Sequence, residues 1–354
     1  MDAQVARRGE KRLADLLDRF VCVRAVEMEG VDLSLFQFDY DETWCAFFLN
    51  ADRTIYGRYG TRASGGADVG VDVSMEGFVA ALEGALEVHA GYPANRASLT
   101  GKKAPPPPAN EIRSFPIFKS RFAEPVPHGC AHCHHVWEAL RSVPREARKP
   151  MPEELLFPYP KPDRAGITLQ LNERATVKSV AAGSPAEKAG FRAGDRVAAL
   201  DGQPMLSIAD VQWVLQHAKP PCDLPAEVER VRGRETLTLH LEPGWRAGED
   251  ITWRTSTHAF RPFGWQPATP EQRDALGVKD DLLCVRVRGF PKVGVASKAD
   301  LAVGDFVVEI DGKADVLDEN QWLSYLYRVK VKGEPVWLTV IRGGKRIKLK
   351  MLAP

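Results

Sequence analysis

The sequence predicts an α+β multidomain chain. It has a partial α/β unit first, then a proline-rich linker with a CxxCH motif, then two tandem β-barrel or sandwich domains. Three observations carry this reading. An internal repeat occupies the C-terminal half, helical and strand periodicities alternate through the first ninety residues, and proline clusters between the two regions. The implied domains are 1–94, 95–163, 164–246 and 247–354.

Bulk properties narrow the function classes. The 354 residues carry a net charge of +1, from 48 basic and 47 acidic side chains. That balance gives no reason to expect a nucleic acid or an anionic membrane as partner. No apolar run approaches the roughly 18 residues of a membrane-spanning helix. The first twenty residues are too charged for a signal peptide, so taken literally the chain is cytoplasmic.

In the N-terminal unit, Leu13, Leu16, Leu17 and Phe20 follow helical spacing. A strand is predicted at FVCVRAV, two more at CAFFL and TIYGRYG, and a helix from Ser74 that buries Phe78, Leu82 and Leu86. The linker that follows is read as irregular and semi-rigid, through KKAPPPPANE and KPMPEELLFPYPKPD.

The repeat is read from SPAEKAGFRAGDRVAALDG at 184–202 and GVASKADLAVGDFVVEIDG at 294–312. Each copy predicts a short helix, a Gly-Asp turn, a strand and an Asp-Gly hairpin turn. A helix capped by Ser207 or Asp318 follows, and then a β-hairpin. This order resembles the bacterial PDZ domain, a peptide-binding fold. The resemblance implies a groove for peptide or protein C-termini, between one strand and the second helix, with loop amides meeting the terminal carboxylate. Carried over, the first copy supplies Ala165, Gly166 and Ile167 in its loop, with Val211 and Leu215 lining the groove. The second supplies Phe263, Gly264 and Trp265, followed by a helical insertion at TPEQRDALGV.

One motif could carry redox chemistry. Cys130, Cys133 and His134 form CxxCH, in which two thiols bond the vinyl groups of haem c and the histidine ligates the iron. His128, His135 or Met151 would be the sixth ligand, with Trp137, Leu140, Phe157 and Tyr159 as walls. Two alternatives stand beside it. One is a dithiol–disulfide site activated at the N-terminus of a helix over HVWEALRSV. The other is a zinc site of His128, Cys130, Cys133 and His134. No serine nucleophile turn, HExxH or phosphate loop is present, so no catalytic residue is assigned.

The N-terminal fragment FFLNADRTIYGRYG resembles the second half of a thioredoxin-like fold, without the strand and helix that carry its redox CxxC. Together these features resemble the bacterial thioredoxin-like/PDZ proteins, some of them selenoproteins. That resemblance implies a redox-associated envelope scaffold, with an unidentified redox partner. It implies a periplasmic location if the N-terminus is truncated. The rival reading is a PDZ adaptor without redox chemistry.

Overall fold

The computed structural model describes residues 5, 11–42, 44–60, 73–121, 131–290, 300–316 and 318–353. Two compact units emerge: residues 1–139 with 157–249, and residues 140–156 with 250–354. The fold is mixed α+β with several small sheets.

The first unit opens with α1 (Lys11–Leu17), which buries Leu13, Leu16 and Leu17 as its spacing predicts. Strands β1 (Ala46–Leu49) and β2 (Ile55–Tyr59) form an antiparallel hairpin. Helix α2 (Met75–Ala90) starts at Ser74, whose side chain accepts the amide of Gly77. Phe48, Tyr56, Tyr59, Phe78 and Leu82 share one core with α1.

The predicted strand at FVCVRAV does not form. Those residues have no regular structure, and Val21 and Val23 are 95% and 89% exposed. Alternation marks a strand only where a second strand takes its amides and a core takes its valines. The sheet therefore stops at two strands, and nothing supports a thioredoxin-like unit. Nor is there an irregular CxxCH linker. Helix α3 (Cys133–Glu146) begins at the second cysteine, and residues 156–160 are buried.

The first repeat copy contains β3 (Ile167–Leu169), β4 (Val177–Val180), α4 (Pro185–Ala189) and β5 (Arg196–Leu200). It continues through β6 (Gln203–Pro204), α5 (Ile208–His217), β7 (Cys222–Arg230) and β8 (Gly233–Leu241). Its sheets run β3-β4 and β6-β5-β7-β8. In the second unit, β9 (Gly264–Pro267) leads to the insertion helix α6 (Pro270–Leu276), held by a Thr269–Gln272 capping box. Then come β10 (Val285–Gly289), β11 (Phe306–Ile310), α7 (Glu319–Val329), β12 (Pro335–Arg342) and β13 (Lys345–Leu352). These five strands make one sheet, ordered β13-β12-β11-β10-β9. The short helix expected at 294–299 lies outside the described residues.

The copies agree in detail. Their Asp-Gly turns place Asp201 and Gly202, and Asp311 and Gly312, at positive φ. That is the type I′ geometry that matches strand twist. A bulge shifts register between Val197 and Ala199, and again between Val307 and Glu309.

Each copy is also locked by a buried aspartate that the repeat pattern carries and an arginine that it does not. Arg230 Nε donates to Asp195 Oδ1 at 2.7 Å, and Arg342 Nε donates to Asp305 Oδ1 at 2.7 Å. The same guanidiniums reach the carbonyls of Gly190 and Asp300. Burial raises the pKa of the Asp195 carboxyl, but hydrogen bonds from Arg230 and the Arg192 amide outweigh it and hold it below the usual range. A carboxylate with a depressed folded pKa stabilises above its unfolded value near 3.9 and loses that contribution as pH falls through the folded pKa. Arg230→Met is expected to cost about 2 kcal/mol at pH 7. Urea unfolding should show the gap between variant and parent narrowing towards pH 3, and a gap independent of pH would contradict this.

Candidate peptide-binding site

The predicted groove of the first copy is closed. Ala165, Ile167, Val211 and Leu215 are 0%, 5%, 3% and 1% exposed, so these side chains are core rather than groove lining. Gly166 has φ +91 and donates its amide to Asp163 O at 2.9 Å, so that donor is already used. A Cβ there would fall 2.1 Å from Ser184 Oγ, which requires glycine whether or not a peptide binds.

Helix α5 is sheathed from two sides. Gln212 Nε2 donates to Tyr159 O at 2.9 Å, while the Tyr159 amide donates to Gln216 Oε1 at 2.7 Å. Two glutamines one turn apart thus grip the backbone of the segment leading into the domain. From the other side, Lys102 Nζ meets Asp210 Oδ1 at 2.7 Å with both side chains fully buried. Asp210 also accepts the amides of Arg58 and Leu206. The Arg58 guanidinium lies 3.6 Å from the Trp213 ring centre, and the Trp213 indole donates to Gly101 O. At Gly57 a Cβ would sit 2.6 Å from Leu206 and 2.8 Å from Asp210, so β2 can approach α5 only with glycine there.

Tyr159 was expected to wall a haem rather than to hold α5, and Lys102, Arg58 and Gly57 were not candidates from sequence. The one available signal was Asp210 itself, an acid three residues after the Ser207 cap in an otherwise apolar helix. Lys102→Met should therefore cost about 3–5 kcal/mol, because Asp210 is left buried without its countercharge. Thermal unfolding of the full chain measures this, and an unchanged Tm would show that the pair does not anchor the first unit.

The second copy sets an exposed strand edge beside a core that is equally buried. Phe263 is 4% exposed, Gly264 is exposed and Trp265 is half-buried. A shallow cleft of about 10 Å³ is lined by Arg261, Pro262, Phe263, Trp265, Trp322 and Leu323. The Trp265 and Trp322 rings meet edge to face at 5.4 Å, and Phe263 packs on Trp322 at 5.6 Å. Strand β9 ends the sheet, and among the described residues no strand pairs with its outer side. The buried Trp322 indole N–H has no hydrogen-bond partner among the described residues.

The CxxCH residues do not assemble as expected. Cys130 and His128 lie outside the described residues. Burial raises the pKa of the Cys133 thiol, and the carboxylates of Glu42 and Asp41 raise it further. Burial raises Cys45 as well, so neither thiol has the depressed pKa of a reactive site. His134 Nε2 lies 3.9 Å from Glu138 Oε1, and its ring centre is 4.3 Å from that of His135. Side by side on one helix, His134 and His135 cannot take opposite axial positions on one iron. Met151 is buried in the second unit, with its amide bonded to Tyr327 O. Trp137 is committed to Asp39 and Tyr40, and Phe157 and Tyr159 are buried, so these walls are not open to a macrocycle.

Comparison with known proteins agrees with the peptide-binding fold and overturns the redox reading. The PDZ domain family matches residues 176–224. A DegP-like periplasmic serine endoprotease of Pseudomonas fulva is 26% identical over 178 residues, covering 48% of this chain and 36% of that protein. One from Pseudomonas savastanoi pv. phaseolicola is 25% identical, with the same coverage. A protein of Ralstonia nicotianae described as a zinc metalloprotease is 25% identical over 54% of this chain and 42% of its own length. The chain thus spans about two fifths of the length of these relatives. Solved structures of the HtrA-type protease AlgW, with a decapeptide and with a tripeptide, are 17% and 19% identical. They cover 36% and 35% of this chain and 42% and 43% of theirs, with TM-scores of 0.23 and 0.25. The relatives are described as proteases, which overturns the redox scaffold and its haem and selenoprotein family. Among the described residues no helix is long and apolar enough to cross a membrane.

Proposed function

We propose that this chain recognises peptides in proteolysis of the DegP-like kind, with the second PDZ-like copy as its open site. The names of two relatives suggest a periplasmic location. The observation that carries the reading is the pairing of the edge strand β9 with the Phe263, Trp265 and Trp322 cleft at its start. An extended peptide would add to β9 through main-chain hydrogen bonds and place its terminal side chain in the cleft. Pro267 donates no amide, so the usable ladder is confined to Gly264, Trp265 and Gln266. The aromatic walls favour an apolar terminal residue packed across the mouth of the cleft. The buried loop of the first copy and its sheathed α5 make that copy structural in this state.

Peptides with a free apolar carboxyl terminus should bind the full chain with micromolar-class affinity, about −8 kcal/mol. Amidating the terminus should weaken binding, because loop amides lose a charged acceptor. Trp265→Ala should weaken it about tenfold, the scale of one lost aromatic contact. Calorimetry against matched free and amidated peptides decides this, and equal binding of the two would sink terminal recognition.

A further inference from the structure

The first turns of α3 gather ligands that peptide recognition does not use. His134, His135 and the buried Glu138 each offer a donor atom, and these atoms all lie within 4.8 Å of one another. The arrangement follows from helix geometry, since Glu138 stands four residues after His134 and three after His135, on one face. The His132 ring stacks with His134 at 5.7 Å and lies 5.5 Å from His135.

We propose that His134, His135 and Glu138 form a site for a divalent transition-metal ion, zinc by the character of its ligands. Two imidazoles and one carboxylate suit zinc. Bonds of about 2.0–2.1 Å separate tetrahedral ligands by roughly 3.3 Å, so side-chain rotations are enough to close the set. Glu138 is 4% exposed, so its carboxylate is held on the helix away from bulk water. His135 accepts the His132 amide on Nδ1 at 3.1 Å, so ligation exchanges one backbone hydrogen bond for a coordination bond.

This set differs from a thiolate site in a way that can be read directly. Cys133 is next in sequence, but its thiol sits near Tyr40, Asp41 and Glu42, on the side of the N-terminal region. Among the described residues the ligand set is therefore two nitrogens and one oxygen.

The test is titration of the full chain, without a histidine tag, with zinc against a chromophoric indicator and with cobalt(II) followed by absorbance. One equivalent should bind, with visible d–d bands and no intense sulfur-to-metal charge transfer. His134→Ala, His135→Ala and the conservative Glu138→Gln should each lower affinity about tenfold or more. Cys133→Ser should leave it unchanged, and circular dichroism checks that each variant folds. Absence of stoichiometric binding overturns the proposal, as does affinity untouched by all three substitutions. A charge-transfer band lost in Cys133→Ser would replace this ligand set with a thiolate site.

Discussion

The first unit depends on the carboxylate of Asp210, which sits fully buried among Lys102 Nζ and the amides of Arg58 and Leu206. Three segments far apart in sequence meet at this one acid. A buried charge of that kind is tolerated only when its partners are all in place, so it specifies one arrangement more than it adds net stability. Arg58 extends the same logic, with donors to Gln37 O and Lys102 O and its plane over Trp213. The helix that would border a peptide groove thereby becomes the central beam of the unit.

This explains how two copies of one repeat can differ in use. Their backbones share turns, bulges and the arginine–aspartate lock, so the fold of each is set by the same local rules. What differs is the environment of the second helix. In the first copy α5 is covered by Tyr159 and the N-terminal region, whereas in the second α7 is met by Met151 and Ile251, with Trp322 and Leu323 at a shallow cleft. The two copies therefore differ in what lies against them rather than in the fold each adopts.

Much of the fold was legible because its demands are local. Gly190 at positive φ, the two Asp-Gly turns, and the Ser74, Ser207 and Asp318 caps are each dictated within a few residues. The locks were not, since Arg230 lies 35 residues from Asp195 and arginine is common on exposed strands. FVCVRAV misled because its alternation has no partner strand. Val211 and Leu215 were assigned to the groove because helical spacing identifies an apolar face but not whether that face meets a core or a ligand. Gly264 and Trp265, read from sequence as loop, open strand β9 instead, and Trp322 beside them was hidden among ordinary core positions. The pair Cys133 and His134 read as one constellation only because adjacent letters look adjacent in space.

The last turn of α5 also has a mechanical role. Gln212 and Gln216 hold Tyr159, two residues beyond the point where the chain enters the first unit at Phe157. Arg246 Nη2 meets the carbonyls of Leu215, Gln216 and Ala218, three residues before the chain leaves at Glu249. Both tethers are fastened to the same turn of helix. Tension on either of these two crossings is therefore passed to that turn, through several hydrogen bonds loaded in parallel.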